Sequence, residues 1–164
     1  LLAPRHPERG DAVARILAAS GLRTARRSAG EPITRDTQVY LADTLGEMGL
    51  WYRIAPVSFV GGSLVEIGGH NPFEPAALGS AIIHGPHVQN FSDVYARLSA
   101  ASAALEVRDA VSLASAVDRL IQPEASAPLA YAAWEISSSG ANVTDRALAL
   151  ILDHLPEAPA AARG

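Results

Sequence analysis

Residues 61–91 read GGSLVEIGGHNPFEPAALGSAIIHGPHVQNF, and an apolar run at residues 57–60 precedes them. Two glycine pairs follow this run, and Pro72 then opens a short helical pattern. A second apolar run, residues 81–84, ends in another turn that contains glycine and proline. This order of strand, loop, helix, strand and loop is typical of parallel α/β sheets. Because such sheets bind ligands in the loops after their strands, the stretch also predicts a binding site.

The same alternation continues over most of the chain. Short apolar runs predict strands at residues 1–3, 22–27, 38–42, 57–60, 81–84 and 104–107. Apolar residues at helical spacing predict helices at residues 11–20, 43–54, 73–78, 91–99, 110–121, 129–136 and 143–155. We therefore expect an α/β fold, a Rossmann-like doubly wound parallel sheet with extra helices at the carboxyl end. Residues 1–155 are expected to form this domain, and the Ala- and Pro-rich residues 156–164 a flexible tail.

The composition argues against several classes of protein. Hydrophobic residues make up 49% of the 164, enough for the core of one domain. The formal net charge of −4 argues against a general nucleic-acid binder, although a few arginines suffice for a small phosphorylated ligand. The chain has no cysteine, which excludes disulfides, thiolate metal sites and a cysteine nucleophile. No apolar run approaches the roughly 20 residues of a membrane-spanning helix.

The turn before residues 73–78 is the first candidate site. Asn71 can cap that helix and Pro72 suits its first position, so the N–H groups of the first turn would face a loop of small residues. Such a turn attracts an anion. The carboxylate of Glu74 could accept hydrogen bonds from the hydroxyls of a sugar. The same residues also fit an ordinary capped helix, in which Glu74 offsets the helix dipole.

Two further turns are weaker candidates. In the loop after residues 1–3, Arg5 could hold a phosphate in its guanidinium fork. Taken alone, that segment is more simply explained as a solvated basic loop that pairs with Glu8. Residues 46–48 could read the edge of a base through their backbone. Thr44 and Glu47 have the spacing of a capping box, however, so a capped surface helix also explains this segment.

Other chemistries find little support in the sequence. His84 and His87 lie three residues apart, but no third ligand follows at helical spacing. A loop that touches a sugar or phosphate is therefore favoured there over a metal site. Ser58 and Ser63 lack the Gly-x-Ser-x-Gly pattern of a hydrolase nucleophile. The glycine pairs do not form Gly-x-Gly-x-x-Gly, which disfavours a dinucleotide-dependent dehydrogenase.

Four segments, taken together, resemble one family of enzymes. They are APRHPER at residues 3–9, RRS at 26–28, DTLGEM at 43–48 and FVGGSLVEIGGHNPFEPAALGSAIIHGPHVQNF at 59–91. In this order they resemble segments of the 3-deoxy-D-manno-octulosonic acid (Kdo) transferases of lipopolysaccharide assembly. The long GGHNPFEPA segment is specific to that family, whereas the Gly-Glu-Met turn alone is not.

The resemblance implies a glycosyltransferase of the two-domain GT-B type, of which this chain would be the carboxyl-terminal, donor-nucleotide half. The donor would be CMP-Kdo. The acceptor would be lipid A or its precursor, bound through the amino-terminal half at the cytoplasmic face of the bacterial inner membrane. That half would also supply the membrane anchor and a glutamate as catalytic base, so this chain alone is expected to be soluble and inactive. The start of the chain inside a predicted strand suggests the same division. No cofactor, metal or nucleic acid is implied.

The contacts that the family makes with CMP carry over to residues of all three turns. They are Pro4, Arg5, Gly46, Glu47, Met48, Asn71, Pro72, Phe73 and Glu74. Met48 and Phe73 stand where many relatives have leucine, and both keep the position apolar. Two alternatives stay open. One is the nucleotide half of another GT-B enzyme that uses a UDP-sugar, either a transferase or a 2-epimerase, and the other is a non-catalytic nucleotide-binding module.

Overall fold

The computed structural model describes residues 1–139, 148 and 150–154. The chain divides into two compact units, Leu1–Ala55 and Pro56–Gly164, and each contains a parallel sheet with helices. Every strand pair in the described residues is parallel. This confirms the parallel α/β class that the alternation of apolar runs predicts.

The unit Leu1–Ala55 is built on two parallel strands, β1 (Thr24–Arg26) and β2 (Val39–Leu41). Leu2 adds a single parallel bridge to Leu41. The predicted strand at residues 1–3 is therefore reduced to one bridging residue. The helical elements of this unit are a 3-10 turn (Pro7–Arg9), α1 (Gly10–Ala19) and α2 (Met48–Ile54).

The unit Pro56–Gly164 contains a three-stranded sheet in the order β3 (Val57–Val60), β4 (Ala81–His84) and β5 (Ala104–Glu106). The central strand β4 is buried along its whole length, as a strand covered on both faces should be. Four helices within residues 56–139 accompany the sheet. They are α3 (Phe73–Ala77), α4 (Ser92–Ala100), α5 (Ala110–Leu120) and α6 (Pro123–Ser139).

Helices cover both faces of this sheet. Consecutive strand residues point to opposite faces, and Ile82 and Ile83 accordingly belong to different core clusters. The cluster around Ile82 includes residues of α3, α4 and α6, whereas the cluster around Ile83 includes residues of α5. The layered packing confirms the doubly wound arrangement for this unit.

Most other predicted elements are confirmed within a few residues, and two predicted helices differ from the structure in their bounds. The predicted helix at residues 43–54 begins only at Met48, without a side-chain cap. The predicted capping box is wrong because the Thr44 hydroxyl donates to the Glu47 carboxylate and does not accept a backbone N–H of the helix. The predicted helix at 129–136 is part of the longer α6, in which Pro128 is accommodated.

The last two expectations fall mostly outside the described residues. Of the predicted helix at 143–155, residues 148 and 150–154 are described, and they are helical. The predicted tail at 156–164 lies outside the described residues. Within the part of the chain that is described, no helix has the length and apolar character that crossing a bilayer requires.

Candidate functional site

The predicted site residues lie on three turns, each at or near the end of a strand. The first turn holds Pro4 and Arg5 and follows the bridge at Leu2. The second holds residues 46–48 and follows β2. Both belong to the unit Leu1–Ala55. The third turn holds residues 71–74, follows β3 and belongs to the unit Pro56–Gly164.

The first turn borders an open pocket of about 230 Å³. Its lining combines small or apolar residues with three basic side chains, and consists of Leu2, Ala3, Pro4, Arg5, His6, Arg9 and Val13. Glu8, which the sequence offered as a partner for the arginines of this loop, lies 3.7 Å from His6 in an exposed pair. A pocket with a basic rim suits an anionic group that is attached to a larger ligand.

The second turn depends on a glycine and on a carboxylate that is held from outside the turn. Gly46 has φ of +81°, a left-handed conformation that favours glycine. The Glu47 carboxylate accepts two hydrogen bonds from Arg27, from Nη2 at 2.6 Å and from Nε at 3.1 Å, and another from Thr44. The bonds from Arg27 and then Thr44 lower the pKa of Glu47. Because this side chain is committed to the protein, any contact of the turn with a base falls to its backbone or to Met48.

A buried carboxylate at the end of β2 supports the second turn. The Asp43 side chain is fully buried and accepts hydrogen bonds from the Arg26 guanidinium, the Ser28 N–H at 3.0 Å and the Ser28 hydroxyl at 2.8 Å. Burial alone would raise the pKa of Asp43, but the bonds from Arg26 and Ser28 outweigh it and lower that pKa. Gly10 packs so closely here that a Cβ atom would lie 2.5 Å from an Asp43 carboxylate oxygen.

The sequence alone did not predict that Arg26, Arg27 and Ser28 bind Asp43 and Glu47. The segments RRS and DTLGEM were both noted as motifs, and they are the segments that pair. Their pairing spans 15 to 20 residues, so neither helical nor turn spacing reveals it. The register of β1 against β2 brings them together, since Arg26 stands opposite Leu41.

The loop before the third turn is held by backbone bonds and glycines. The Gly69 N–H donates to the Gly62 carbonyl at 2.9 Å, and both glycines have positive φ. The Asn90 side chain donates to the Ile67 carbonyl at 3.2 Å, and the Tyr95 hydroxyl donates to the His70 carbonyl at 2.9 Å. These bonds fix the chain on its way to Asn71.

The start of α3 offers fewer donors than the sequence predicts. Asn71 does cap the turn, since its Oδ1 accepts the N–H of Phe73 at 2.9 Å. Pro72 is the residue before the helix rather than its first residue. Pro72 and Pro75 have no N–H, and Phe73 uses its own on Asn71. Between Pro72 and Pro75, only Glu74 therefore keeps a backbone N–H for an anion.

The same geometry shows which chemistry the exposed side chains of this turn can offer. Because Oδ1 of Asn71 faces the Phe73 N–H, its Nδ2 group is the part that can donate to a ligand. The Glu74 side chain is exposed and can accept. The turn thus pairs one amide donor with one carboxylate acceptor, a combination suited to hydroxyl groups.

The expectation that the loop beginning at His84 touches a ligand is wrong for His84 itself. This side chain is buried, bonds through Nδ1 to the Gly85 carbonyl at 2.8 Å and packs against the Tyr95 ring at 4.5 Å between centroids. It is the last residue of a strand that is covered on both faces, which explains its burial. In the described residues, no group of three or more side chains could hold a metal ion.

Two sequence relatives of the chain are both 3-deoxy-D-manno-octulosonic acid transferases. The chain is 43% identical over 158 residues to the 3-deoxy-D-manno-octulosonic acid transferase of Bordetella pertussis, and 40% identical over 157 residues to that of Haemophilus influenzae. Each comparison covers 94% of this chain and 37% of the relative. The chain therefore spans little more than a third of the length of these relatives. No family model matches the chain.

One solved structure resembles the chain in both fold and sequence. It is the C-terminal CMP-Kdo binding domain of WaaA from Acinetobacter baumannii, with a TM-score of 0.78 and 41% sequence identity. The match covers 81% of this chain and 70% of that domain. The aligned length and the sequence identity of this match are greater than a shared α/β architecture alone would give. The chain therefore belongs to the 3-deoxy-D-manno-octulosonic acid transferase family and corresponds to the carboxyl-terminal domain of those enzymes.

Proposed function

We propose that this chain binds CMP-Kdo as the donor half of a glycosyltransferase that transfers Kdo to lipid A or its precursor. The observation that supports this most strongly is the 41% identity, at a TM-score of 0.78, to a domain described as CMP-Kdo binding. In the whole enzyme, membrane contact and the acceptor site belong to the amino-terminal half, at the cytoplasmic face of the bacterial inner membrane. Lipopolysaccharide assembly is the setting that these roles imply.

Each turn has chemistry that suits one part of the donor. Arg5, next to Pro4 on the rim of the pocket, provides a guanidinium for the phosphate. The backbone of Gly46 and Glu47 and the apolar Met48 suit the cytosine. In the third turn, Asn71 and Glu74 suit the ribose hydroxyls. Pro72 and Phe73 lie between them and form the backbone that holds both side chains.

The proposed role of this chain in the reaction is electrostatic. When the bond between the sugar carbon and the phosphate oxygen breaks, its electron pair stays on CMP, and the phosphate gains negative charge. A guanidinium already in place stabilises this charge without reorganisation. The base that removes the proton of the acceptor hydroxyl is the glutamate that the family resemblance assigns to the amino-terminal half. Kdo transfer accordingly requires both halves.

The choice of nucleotide tests the proposal. Isothermal titration calorimetry of the 164-residue chain with CMP, UMP and UDP should give the tightest binding with CMP. A preference for UDP would contradict the proposal and would instead fit a GT-B enzyme that uses a UDP-sugar.

Arg5→Ala is expected to weaken CMP binding about tenfold, the effect of losing one charge-assisted hydrogen bond. Binding of cytidine, which lacks the phosphate, should change less than twofold. Calorimetry with both ligands measures this contrast. Arg35→Ala removes another exposed arginine of the same unit and serves as the control. Equal CMP affinity in Arg5→Ala and Arg35→Ala would remove Arg5 from the site.

Two substitutions of Asn71 should separate its cap from its contact with the ligand. Asn71→Asp keeps an oxygen for the Phe73 N–H but has no Nδ2 donors, so we expect near wild-type melting and CMP binding weakened about tenfold. Asn71→Ala also lacks the hydrogen bond to the Phe73 N–H and should be about 1 kcal/mol less stable. Thermal melts and calorimetry distinguish the two effects. Wild-type CMP affinity in Asn71→Asp would show that the side chain only holds the Phe73 N–H.

A further inference from the structure

Two consecutive arginines hold two carboxylates in and just before the second turn. Arg26 binds Asp43, three residues before the turn, and Arg27 binds Glu47, its middle residue. The three residues between these carboxylates include the left-handed Gly46. The two carboxylates are therefore held by residues at the end of β1 and directly after it. Bonds within residues 46–48 do not hold them.

Arg27 is itself held in place by its surroundings. Its backbone N–H donates to the Leu41 carbonyl of β2 at 2.9 Å. Its guanidinium carbon lies 5.9 Å from the centre of the Trp51 ring, a distance typical of a cation–π contact. The Trp51 ring in turn meets Tyr40 edge to face at 5.7 Å. The guanidinium of Arg27 thus stacks on a ring of α2, and the backbone of Arg27 is anchored to β2.

The turn needs this support because its own backbone provides little. The Glu47 carbonyl already accepts the N–H groups of Leu50 at 3.0 Å and Trp51 at 3.2 Å, which start α2. Contact with the base is then left to the other backbone groups of residues 46–48 and to Met48, and the position of Glu47 sets their orientation. The planar guanidinium of Arg27 binds both oxygens of the Glu47 carboxylate and so restricts the rotation of this carboxylate as well as its position. The single ammonium of a lysine would not restrict the rotation.

We propose that Arg27 is a positioning residue for nucleobase recognition: through the Glu47 carboxylate it holds the backbone of residues 46–48 in the orientation that reads cytosine. This inference rests on the proposed function, because it assumes that CMP is the ligand. It adds a residue that touches no part of the ligand and on which the preference for the base depends.

The experiment compares two ligands that differ only at the base. CMP and ribose 5-phosphate share the sugar and phosphate, and calorimetry of the 164-residue chain gives the affinity for each. In Arg27→Met, we expect CMP affinity to fall about tenfold while ribose 5-phosphate affinity stays within twofold. Arg27→Lys keeps the charge but not the fork and should give an intermediate loss for CMP alone. Once Arg27 is methionine, Glu47→Gln should cause little further loss.

The experiment includes a control variant, and several outcomes would contradict the positioning role of Arg27. Arg23→Met removes an arginine that donates to the Asp36 carbonyl in the same unit, and it should leave the CMP preference intact. If Arg27→Met keeps the wild-type preference for CMP, or loses both ligands equally, the positioning role is wrong. If Arg27→Met does not fold, Arg27→Lys decides by the same ratio. A wild-type chain that binds CMP no better than ribose 5-phosphate contradicts the proposed function itself.

Discussion

Gly85→Ala is expected to lower the free energy of unfolding of the unit Pro56–Gly164 by about 3 kcal/mol, the upper end of the usual effect of overpacking. Gly85 is buried just after β4. A Cβ atom there would lie 2.7 Å from the Leu64 nitrogen and closer still to the Ser63 carbonyl, inside the 3.0 Å limit that real Cβ atoms respect. The obstacle is backbone, so no side-chain rotation relieves it.

The clash would also disturb the loop that leads to the third turn. The buried Ser63 hydroxyl donates to the Val60 carbonyl at 2.6 Å and accepts the Gly85 N–H at 2.8 Å. The Ser63 carbonyl accepts the His87 N–H at 2.9 Å. Moving either strand end breaks this set of bonds and displaces the chain that runs to Asn71. We therefore expect weaker CMP binding together with the lower stability.

Gly61→Ala is the matched control, because a Cβ atom at Gly61 meets no atom within 4 Å and Gly61 does not have a positive φ. Its effect on stability should stay within about 0.5 kcal/mol. Urea denaturation followed by circular dichroism compares the two variants. Equal midpoints for Gly85→Ala and the wild type would mean that the two loops are not packed as described.

Asp43→Ala is expected to destabilise the unit Leu1–Ala55 by about 3 kcal/mol, the low end for breaking a buried ion pair. The carboxylate is fully buried and holds the Arg26 guanidinium and two groups of Ser28. The low end applies because Arg26 is partly exposed and keeps its second partner, Asp11, at 2.6 Å. The buried Trp51 reports on this unit, and Trp134→Phe removes the other tryptophan of the chain, so fluorescence in that background isolates the effect.

The effect of Asp43 should depend on pH in a defined direction. Because the folded chain lowers the pKa of Asp43, the carboxylate contributes its full stability above the unfolded pKa of about 3.9. That contribution is lost as the pH falls through the lower, folded pKa. The difference in unfolding free energy between wild type and Asp43→Ala should therefore be constant near neutral pH and shrink below about pH 4. A difference that grows on acidification would contradict the assignment.

Local sequence patterns predicted the elements that have a clear signal in a few consecutive residues. The strands at 57–60 and 81–84 agree with the structure residue for residue, because a short apolar run bounded by glycine or proline leaves a buried strand few alternatives. Asn71 was expected to be the cap residue of α3; its Oδ1 does accept the Phe73 N–H, but Pro72 is the residue that directly precedes the helix. The start of α2 was missed because Arg27, twenty residues away, binds the carboxylate that local spacing assigned to a cap.

Apolar runs, turn residues and motif order were enough to indicate the parallel α/β class and the family, since each can be read along the chain without knowing which segments meet in space. Only the tertiary structure established that Asp43 and Glu47 are bound by consecutive arginines, that His84 lies in the core and that α3 keeps few free donors. The reason is physical. Those features depend on which strands pair and in which register, and such long-range contacts have no period in the sequence.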